Sequence, residues 1–352
     1  MKTDNRIISK QDLNKFLDEL AADNTVVAPV KDEAVVTFQV IASVEEVHWD
    51  AVNTRESPKK LFFPRSEKLF AFTKQSDRLD VKTPEPADRK MILFGVRPCD
   101  IKSFEQLDRI FCNEAYTDPY YARRRENTAI IGRGCITRRS TCFCDAFGID
   151  MLDGTGADIF LIDLGENVFI AQILTEKGKA LIEGKKYFKE AADTEIKALE
   201  ERRNKVGPAA EFSVDLDRIK ANLEQIFESD IWDRIHERCL GCGACTYLCP
   251  TCHCFDVDDE AKFSRGERIR NWDSCMYGLF TLHTSGHNPR PTQKERWRQR
   301  LMHKFNYGPN RTGDFLCVGC GRCIIHCPVN IDIRQLLKIV ENTQLEQAQS
   351  KT

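Results

Sequence analysis

Two cysteine runs of identical spacing constrain this sequence more than any other feature. The first reads Cys-x2-Cys-x2-Cys-x3-Cys-Pro over residues 239–250, and the second repeats that pattern over residues 317–328. Eleven of the chain's 16 cysteines lie between Cys239 and Cys327, whereas the first 238 residues contain the other five. The chain therefore has a cysteine-rich part, whose fold depends on what its thiols bind, and a part of ordinary composition.

The spacing of each run is typical of bacterial ferredoxin [4Fe–4S] ligation, in which three closely spaced cysteines wrap three corners of a cluster. The fourth cysteine, before the proline, reaches the neighbouring cluster in proteins that hold two. This rule predicts crossed ligation. One cluster takes Cys239, Cys242, Cys245 and Cys327, and the other takes Cys317, Cys320, Cys323 and Cys249.

A zinc site is the alternative interpretation, because paired Cys-x2-Cys motifs also bind zinc tetrahedrally. In that case the chain would be a cysteine-rich zinc-binding scaffold. The third and fourth cysteine and the proline, repeated at the same offsets in both runs, favour iron–sulfur clusters.

Glycines stand between the ligands of both runs, at Gly241, Gly243, Gly319 and Gly321. Without a side chain, each lets the backbone come close to a sulfur atom. We expect backbone N–H groups there to donate hydrogen bonds to sulfur, which tunes the reduction potential of a cluster.

The first part of the chain predicts an α/β fold. The run at 91–96 is apolar at consecutive positions, which is typical of a strand covered on both faces. A helix with Asp100 as its N-cap and a strand at 128–131 would complete a βαβ unit. We therefore predict an α+β protein with a mixed α/β domain over 1–210 and a mostly helical two-cluster ferredoxin-like domain over 211–352. The second domain carries a long insertion at 251–316.

Four further cysteines follow the predicted strands of the first domain. Cys99 and Cys135 each come directly after a strand, and Cys142 and Cys144 lie on the next loop. Because the carboxyl ends of parallel strands open on one edge of a sheet, these thiols could converge there. We hypothesise a third iron–sulfur cluster on these four residues; scattered core cysteines are the alternative.

The other cysteines carry weaker signals. Cys252, Cys254 and Cys275 cannot complete a cubane alone, and His253 is an awkward fourth ligand because it adjoins two of them. We expect these three thiols to pack beside the clusters, and Cys112 to belong to a helix core.

A basic helix is predicted inside the insertion, over residues 292–305. Its apolar residues Trp297, Leu301 and Phe305 share one side. We expect its basic residues to form a solvated face, in preference to a docking face or a nucleic-acid patch. These residues are Arg290, Lys294, Arg296, Arg298, Arg300 and Lys304.

Composition excludes several classes of function. A net charge of −2 provides no global field for nucleic acid or for an anionic membrane, and no segment is apolar enough to span a bilayer. The N-terminus lacks a secretory signal, so we predict a cytoplasmic protein with reduced thiols. No P-loop, HExxH motif or complete dinucleotide-binding loop is present. Whether the chain is an enzyme stays uncertain; an electron carrier is favoured over a stand-alone enzyme with substrate over the N-terminal cysteines.

The chain also resembles a known family in its longer motifs. Cys249-Pro-Thr-Cys-His-Cys-Phe255, Trp272-Asp-Ser-Cys-Met276 and Arg97-Pro-Cys-Asp-Ile101 are similar to motifs of the iron–sulfur beta subunit of cytosolic NAD(P)-linked hydrogenases and of its counterpart in anaerobic sulfite reductases. The resemblance implies a hetero-oligomer. Within it the chain would relay single electrons between a flavin subunit that handles NAD(P)H and a terminal redox subunit, of hydrogenase, sulfite reductase or heterodisulfide reductase type.

Overall fold

The computed structural model describes residues 4–84, 90–206 and 212–343. The chain forms two compact units, and neither is continuous in sequence. The first unit comprises residues 1–58, 88–213 and 317–321, and the second comprises residues 59–87, 214–316 and 322–352. Five residues of the second cysteine run therefore pack with the N-terminal part of the chain.

The strands and helices are, in chain order, β1 (Asp4–Ser9), α1 (Lys10–Asp23), β2 (Thr25–Asp32), β3 (Val35–Val40), β4 (Ser66–Gln75), β5 (Arg78–Lys82), β6 (Met91–Val96), α2 (Pro98–Phe111), α3 (Pro119–Glu126), β7 (Thr128–Arg133), β8 (Ile159–Gly165), β9 (Val168–Ile173), α4 (Glu176–Ile182), β10 (Lys189–Glu190), α5 (Asp193–Lys205), α6 (Leu216–Gln225), α7 (Ile231–His236), α8 (Ala244–Tyr247), β11 (Phe255–Lys262), β12 (Arg265–Trp272), α9 (Gln293–Met302), α10 (Gly308–Thr312), α11 (Arg322–Ile325) and α12 (Ile333–Asn342). No helix within the described ranges has both the length and the apolar character needed to cross a membrane.

An eight-stranded mixed sheet organises the first unit, in the order β10-β1-β9-β8-β7-β6-β2-β3. The central strands β2, β6, β7 and β8 are parallel, and β9 and β1 pair antiparallel beside them. Strand β6 is buried from Ile92 to Val96, as its unbroken apolar run predicts. The expected mixed sheet is confirmed.

Helix α2 joins β6 to the loop before α3 and begins earlier than the sequence suggests. Asp100 was expected to cap it, but Arg97 occupies the N-cap and Pro98 is the first helical residue. Proline suits that position because its fixed φ is helical and its missing N–H would have no helical partner. The helix thereby begins directly at the end of β6, and Cys99 lies in its first turn.

The second unit contains a four-stranded antiparallel sheet, in the order β11-β12-β4-β5. The insertion contributes β11 and β12, which pair as a hairpin with Phe255 opposite Trp272. Because of this sheet, the prediction of a mostly helical second domain is not confirmed, although the α+β class is. Helix α9 follows in the same insertion and begins with a capping box between Thr292 and Glu295.

Candidate metal centre

A cavity in the second unit is lined mainly by cysteines and apolar side chains. Its thiols are those of Cys239, Cys242, Cys245, Cys323 and Cys327. We call this site the thiol cavity. It brings together the three leading cysteines of the first run and the last cysteine of the second, together with Cys323.

Backbone N–H groups point at sulfur in the thiol cavity. Gly241 and Gly243 have φ values of +67° and +72°, in the left-handed region that glycine tolerates. The Gly241 N–H donates to Cys239 Sγ at 3.4 Å, and the Ile331 N–H donates to Cys327 Sγ at 3.2 Å. The glycine contact was expected from the sequence, whereas no motif signals the one from Ile331.

Burial makes the Cys245 thiol hold its proton tightly, because it raises the pKa of that group to about 11. Thiolate is the form that binds metal, so metal binding at Cys245 releases a proton at neutral pH. Without a metal, Cys245 is therefore disfavoured as a thiolate.

Two basic residues of the predicted solvated face are buried instead, and that expectation is wrong for them. Arg300 is 2% exposed and Lys304, in the π turn after α9, is 4% exposed. Arg300 follows the buried Trp297 by three residues and Lys304 follows the buried Leu301 by three, so each lies on the same side of the helix as its apolar neighbour. Their i, i+4 spacing is the sequence signal that accompanies this burial. We call Arg300 and Lys304 the buried cation pair.

The buried cation pair contacts sulfur directly. Lys304 Nζ donates to Cys249 Sγ at 3.3 Å, and it also donates to Thr251 Oγ1 at 3.0 Å. Arg300 donates through one nitrogen to Cys252 Sγ at 3.7 Å and through another to the Cys245 carbonyl oxygen at 2.9 Å. Both charges therefore lie beside the thiols of the second unit.

Cys249 and Cys252 are hydrogen-bonded to each other. The hydrogen bond from Cys252, together with the charges of Lys304 and Arg300, holds the pKa of Cys249 well below its usual range. The same hydrogen bond raises the pKa of Cys252. Within this pair Cys252 is the donor and Cys249 the acceptor.

The hairpin β11–β12 brings Cys254 and Cys275 together. The Asp273 N–H donates to the Cys254 carbonyl oxygen at 3.0 Å, and the two thiols are hydrogen-bonded. Another buried cation, Lys59, donates to the Cys252 carbonyl oxygen at 2.7 Å and lies 4.2 Å from the centre of the Trp272 ring. The sequence predicts that Cys252, Cys254 and Cys275 pack next to the other thiols. No pattern in the sequence indicates that Lys59 is buried beside them.

A second group of thiols lies in the first unit, among apolar side chains. Cys99, Cys144 and Cys320 are buried together with Met151 and Val318. Cys135 packs against this group, and Cys142 lies within electrostatic range of Cys135 and Cys144. We call these five cysteines the N-terminal thiol group. The structure thus brings the four predicted N-terminal cysteines together and adds Cys320 from the second run.

Residues 317–321 fit closely into the first unit. The Phe143 N–H donates to the Gly319 carbonyl oxygen at 2.8 Å, and the Asn53 side chain donates to the Cys320 carbonyl oxygen at 3.0 Å. Gly319 has φ +59°, and a Cβ there would lie 2.3 Å from the Phe143 carbonyl oxygen. Only glycine fits this position without displacement of backbone.

The thiol cavity fits a thiolate-bound cluster. Among the described residues, Arg300 Nε is buried without a hydrogen-bond partner, and Arg300 lines the cavity. A buried donor without a partner beside several thiols suits an anionic group. Within the described ranges, no three Cys, His, Asp or Glu side chains are gathered closely enough to hold a single metal ion.

Comparisons with known proteins agree with this chemistry. A family model described as a 4Fe-4S dicluster domain matches residues 238–331, which indicates two [4Fe–4S] clusters and confirms that prediction. Sulfhydrogenase 2 subunit beta of Pyrococcus furiosus is 33% identical over 321 residues, covering 90% of this chain and 92% of the relative. The chain therefore belongs to the family of sulfhydrogenase beta subunits, iron–sulfur proteins of electron transport.

Proposed function

We propose that this iron–sulfur electron-transfer subunit works inside a hetero-oligomeric oxidoreductase complex of the cytoplasm. It relays single electrons between a flavin subunit that handles NAD(P)H and a terminal redox subunit. The observation that carries the proposal is the thiol cavity, whose cysteines come from both runs. The name of the relative, which is one component of a sulfhydrogenase, supports a multi-subunit assembly.

Crossed ligation is part of the proposal. Cys239, Cys242, Cys245 and Cys327 hold one cluster, and all four line the thiol cavity. Cys317, Cys320, Cys323 and Cys249 hold the other, as the spacing of the runs predicts. When bound, a [4Fe–4S] cluster accepts and releases one electron at a time.

The chain's own residues bind the clusters and keep water away from them. Thiolates supply the ligands, and Met276, Trp297 and Ile331 provide apolar lining in the thiol cavity. The N–H groups of Gly241 and Ile331 donate to sulfur and stabilise negative charge there. Burial and these hydrogen bonds are the means by which a protein sets a cluster potential.

Dependence on a flavin partner is part of the proposal, and the sequence itself has no complete dinucleotide-binding motif. The test is anaerobic reduction of the purified full chain, monitored by the loss of its visible absorbance. Dithionite should bleach it, and NADPH or NADH should not until the co-purified partner subunits are restored. Reduction of the isolated chain by NADPH would contradict the proposal. Identification of the subunits that co-purify distinguishes a hydrogenase, a sulfite reductase and a heterodisulfide reductase partner.

We also propose that Cys99, Cys135, Cys142 and Cys144 hold a third cluster. Three of them pack in or against one group, and burial raises the pKa of Cys144 to about 12, so free thiolate is disfavoured there. The test is iron and acid-labile sulfide per chain in anaerobically prepared protein. About twelve irons support the third cluster, and about eight contradict it.

A further inference from the structure

Burial of the cation pair has a large cost in free energy. A charged side chain loses its hydration inside a protein, and the cost is recovered only by opposite charge and hydrogen bonds around it. Arg300 and Lys304 are both more than nine-tenths buried. Negative charge close to the pair must therefore compensate it.

The sulfur atoms that face the pair are the candidates for this negative charge. Lys304 Nζ lies 3.3 Å from Cys249 Sγ, and Arg300 lies 3.7 Å from Cys252 Sγ. Cys245 and Cys323 also lie within electrostatic range of the Arg300 guanidinium. A free thiol is neutral at pH 7 unless its pKa is lowered, whereas a metal-bound cysteine is a thiolate.

A helix fixes the pair in place. Arg300 lies in α9 and Lys304 in the π turn that follows, with Leu301 fully buried between them. Lys304 Nζ is held further by the Leu316 carbonyl oxygen at 2.7 Å. Two fixed charges in a poorly hydrated site act more strongly on nearby charge than exposed charges do.

We propose that Arg300 and Lys304 set the reduction potential of the clusters, by stabilising the extra negative charge of the reduced state. This inference rests on the proposed function. Reduction adds one electron from the flavin partner, or from dithionite in vitro, and no bond forms or breaks. The added negative charge then lies beside two buried positive charges, so the reduced state is favoured. The insertion thereby makes the clusters easier to reduce than their thiolates alone would.

The experiment compares two neutral variants of lysines from the same helical segment. Lys304→Met removes the buried charge with little change in length, and Lys294→Met removes an exposed charge that pairs with Asp233 at 2.9 Å. Full-length chains are prepared anaerobically, and their iron and sulfide are counted. The midpoint potentials are then measured by redox titration followed by electron paramagnetic resonance of the reduced clusters.

Lys304→Met should retain its iron and shift one midpoint potential to a more negative value. We expect at least a tenfold change in the reduction equilibrium, which for one electron is about 59 mV. Lys304→Arg, which keeps the charge, should restore most of the potential, and Lys294→Met should leave it unchanged. Restoration by arginine separates a charge effect from a packing effect.

Unchanged potentials in an iron-replete Lys304→Met variant would overturn the inference and leave the proposed function intact. If Lys304→Met loses iron, Arg300→Met replaces it in the same titration, and loss of iron in both would also overturn the inference. The proposed function fails by a different result, namely a wild-type chain without iron or one that NADPH reduces alone.

Discussion

The N-terminal thiol group and the thiols of the second unit both include buried cysteines, Cys144 in the first and Cys249 in the second, but basic side chains are arranged differently around them. In the first unit, the buried Arg97 donates to the Gly134 and Ala51 carbonyl oxygens. In the second unit, Lys304 and Arg300 donate to sulfur itself. The burial of a cysteine therefore does not by itself determine the charge around it.

The thiol pKa values reflect this difference. Burial is the main cause at Cys144 and raises its pKa to about 12. At Cys249 a hydrogen bond from Cys252 and the charge of Lys304 overcome burial and lower the pKa. Because Lys304 and Arg300 contact sulfur, we expect a cluster beside the buried cation pair to be easier to reduce than one on Cys99, Cys135, Cys142 and Cys144.

The largest expected effects come from removing one ligand in each region. Cys245→Ser and Cys144→Ser should each lose one cluster, about four irons, because each removes a proposed thiolate ligand. The measurement is iron and sulfide per chain, with Cys112→Ser as the control that keeps all its iron. Full iron in Cys144→Ser would mean that Cys99, Cys135, Cys142 and Cys144 hold no third cluster.

Crossed ligation can be tested by matching spectra. Cys249→Ser should damage the cluster of the second run, because the cysteine before the proline ligates the neighbouring cluster. The electron paramagnetic resonance spectrum of its remaining reduced clusters should match that of Cys317→Ser and differ from that of Cys239→Ser. A match to Cys239→Ser would show that each run ligates its own cluster.

A smaller effect is expected from the backbone of the second run. Gly319→Ala places a Cβ 2.3 Å from the Phe143 carbonyl oxygen, whereas Gly148→Ala, at φ +69°, meets nothing within 4 Å. A left-handed alanine alone costs roughly 1–2 kcal/mol. We expect Gly148→Ala to lose about that much free energy of unfolding and Gly319→Ala clearly more, measured by denaturant unfolding under argon. Equal losses would mean that residues 317–321 are loosely held.

The smallest effect concerns acid stability in the second unit. Burial lowers the pKa of His303 to about 3, and the ring packs on His253, whose pKa burial lowers to about 4. An unfolded histidine titrates near pH ~6.5, so the unfolded state binds the proton first and stability is lost as pH falls below that value. Between pH ~7 and pH ~5, His303→Gln should lose about 1–2 kcal/mol less free energy of unfolding than the wild-type chain, measured by denaturant unfolding. The exposed His283→Gln is the control, and an equal response in both variants would rule out His303 as the cause.

The sequence predicted those features of the structure that depend on short stretches of residues. The apolar run at β6, the glycines between the ligands and the spacing of the runs carry their own signals. The start of α2 was missed because Pro98 outweighs Asp100 as a helix-start signal. The burial of Arg300 and Lys304 was missed because basic residues are ordinarily exposed, and no motif marks the sulfur and oxygen atoms to which these two side chains donate.

The four-stranded sheet of the second unit was not predictable from the insertion alone. Its strand β12 pairs with β11 on one side and on the other with β4, which lies far earlier in the chain. No short segment signals this pairing. Strand β11 begins with the alternating residues Phe255-Asp-Val-Asp258, but it is exposed along its whole length, and the alternation does not indicate which strands lie beside it. Long-range pairing of this kind is what periodicity cannot reveal.

The membership of residues 317–321 in the first unit has a consequence for biosynthesis. During translation, the N-terminal sheet can form while the ribosome is still making the insertion. Val318 and Cys320, which pack in the same unit, are made only afterwards. A nascent chain cut near residue 210 would leave Phe143, Cys144 and Met151 without the segment that covers them. Maturation of the N-terminal half is thus tied to completion of nearly the entire polypeptide, and a separately expressed N-terminal fragment should be aggregation-prone.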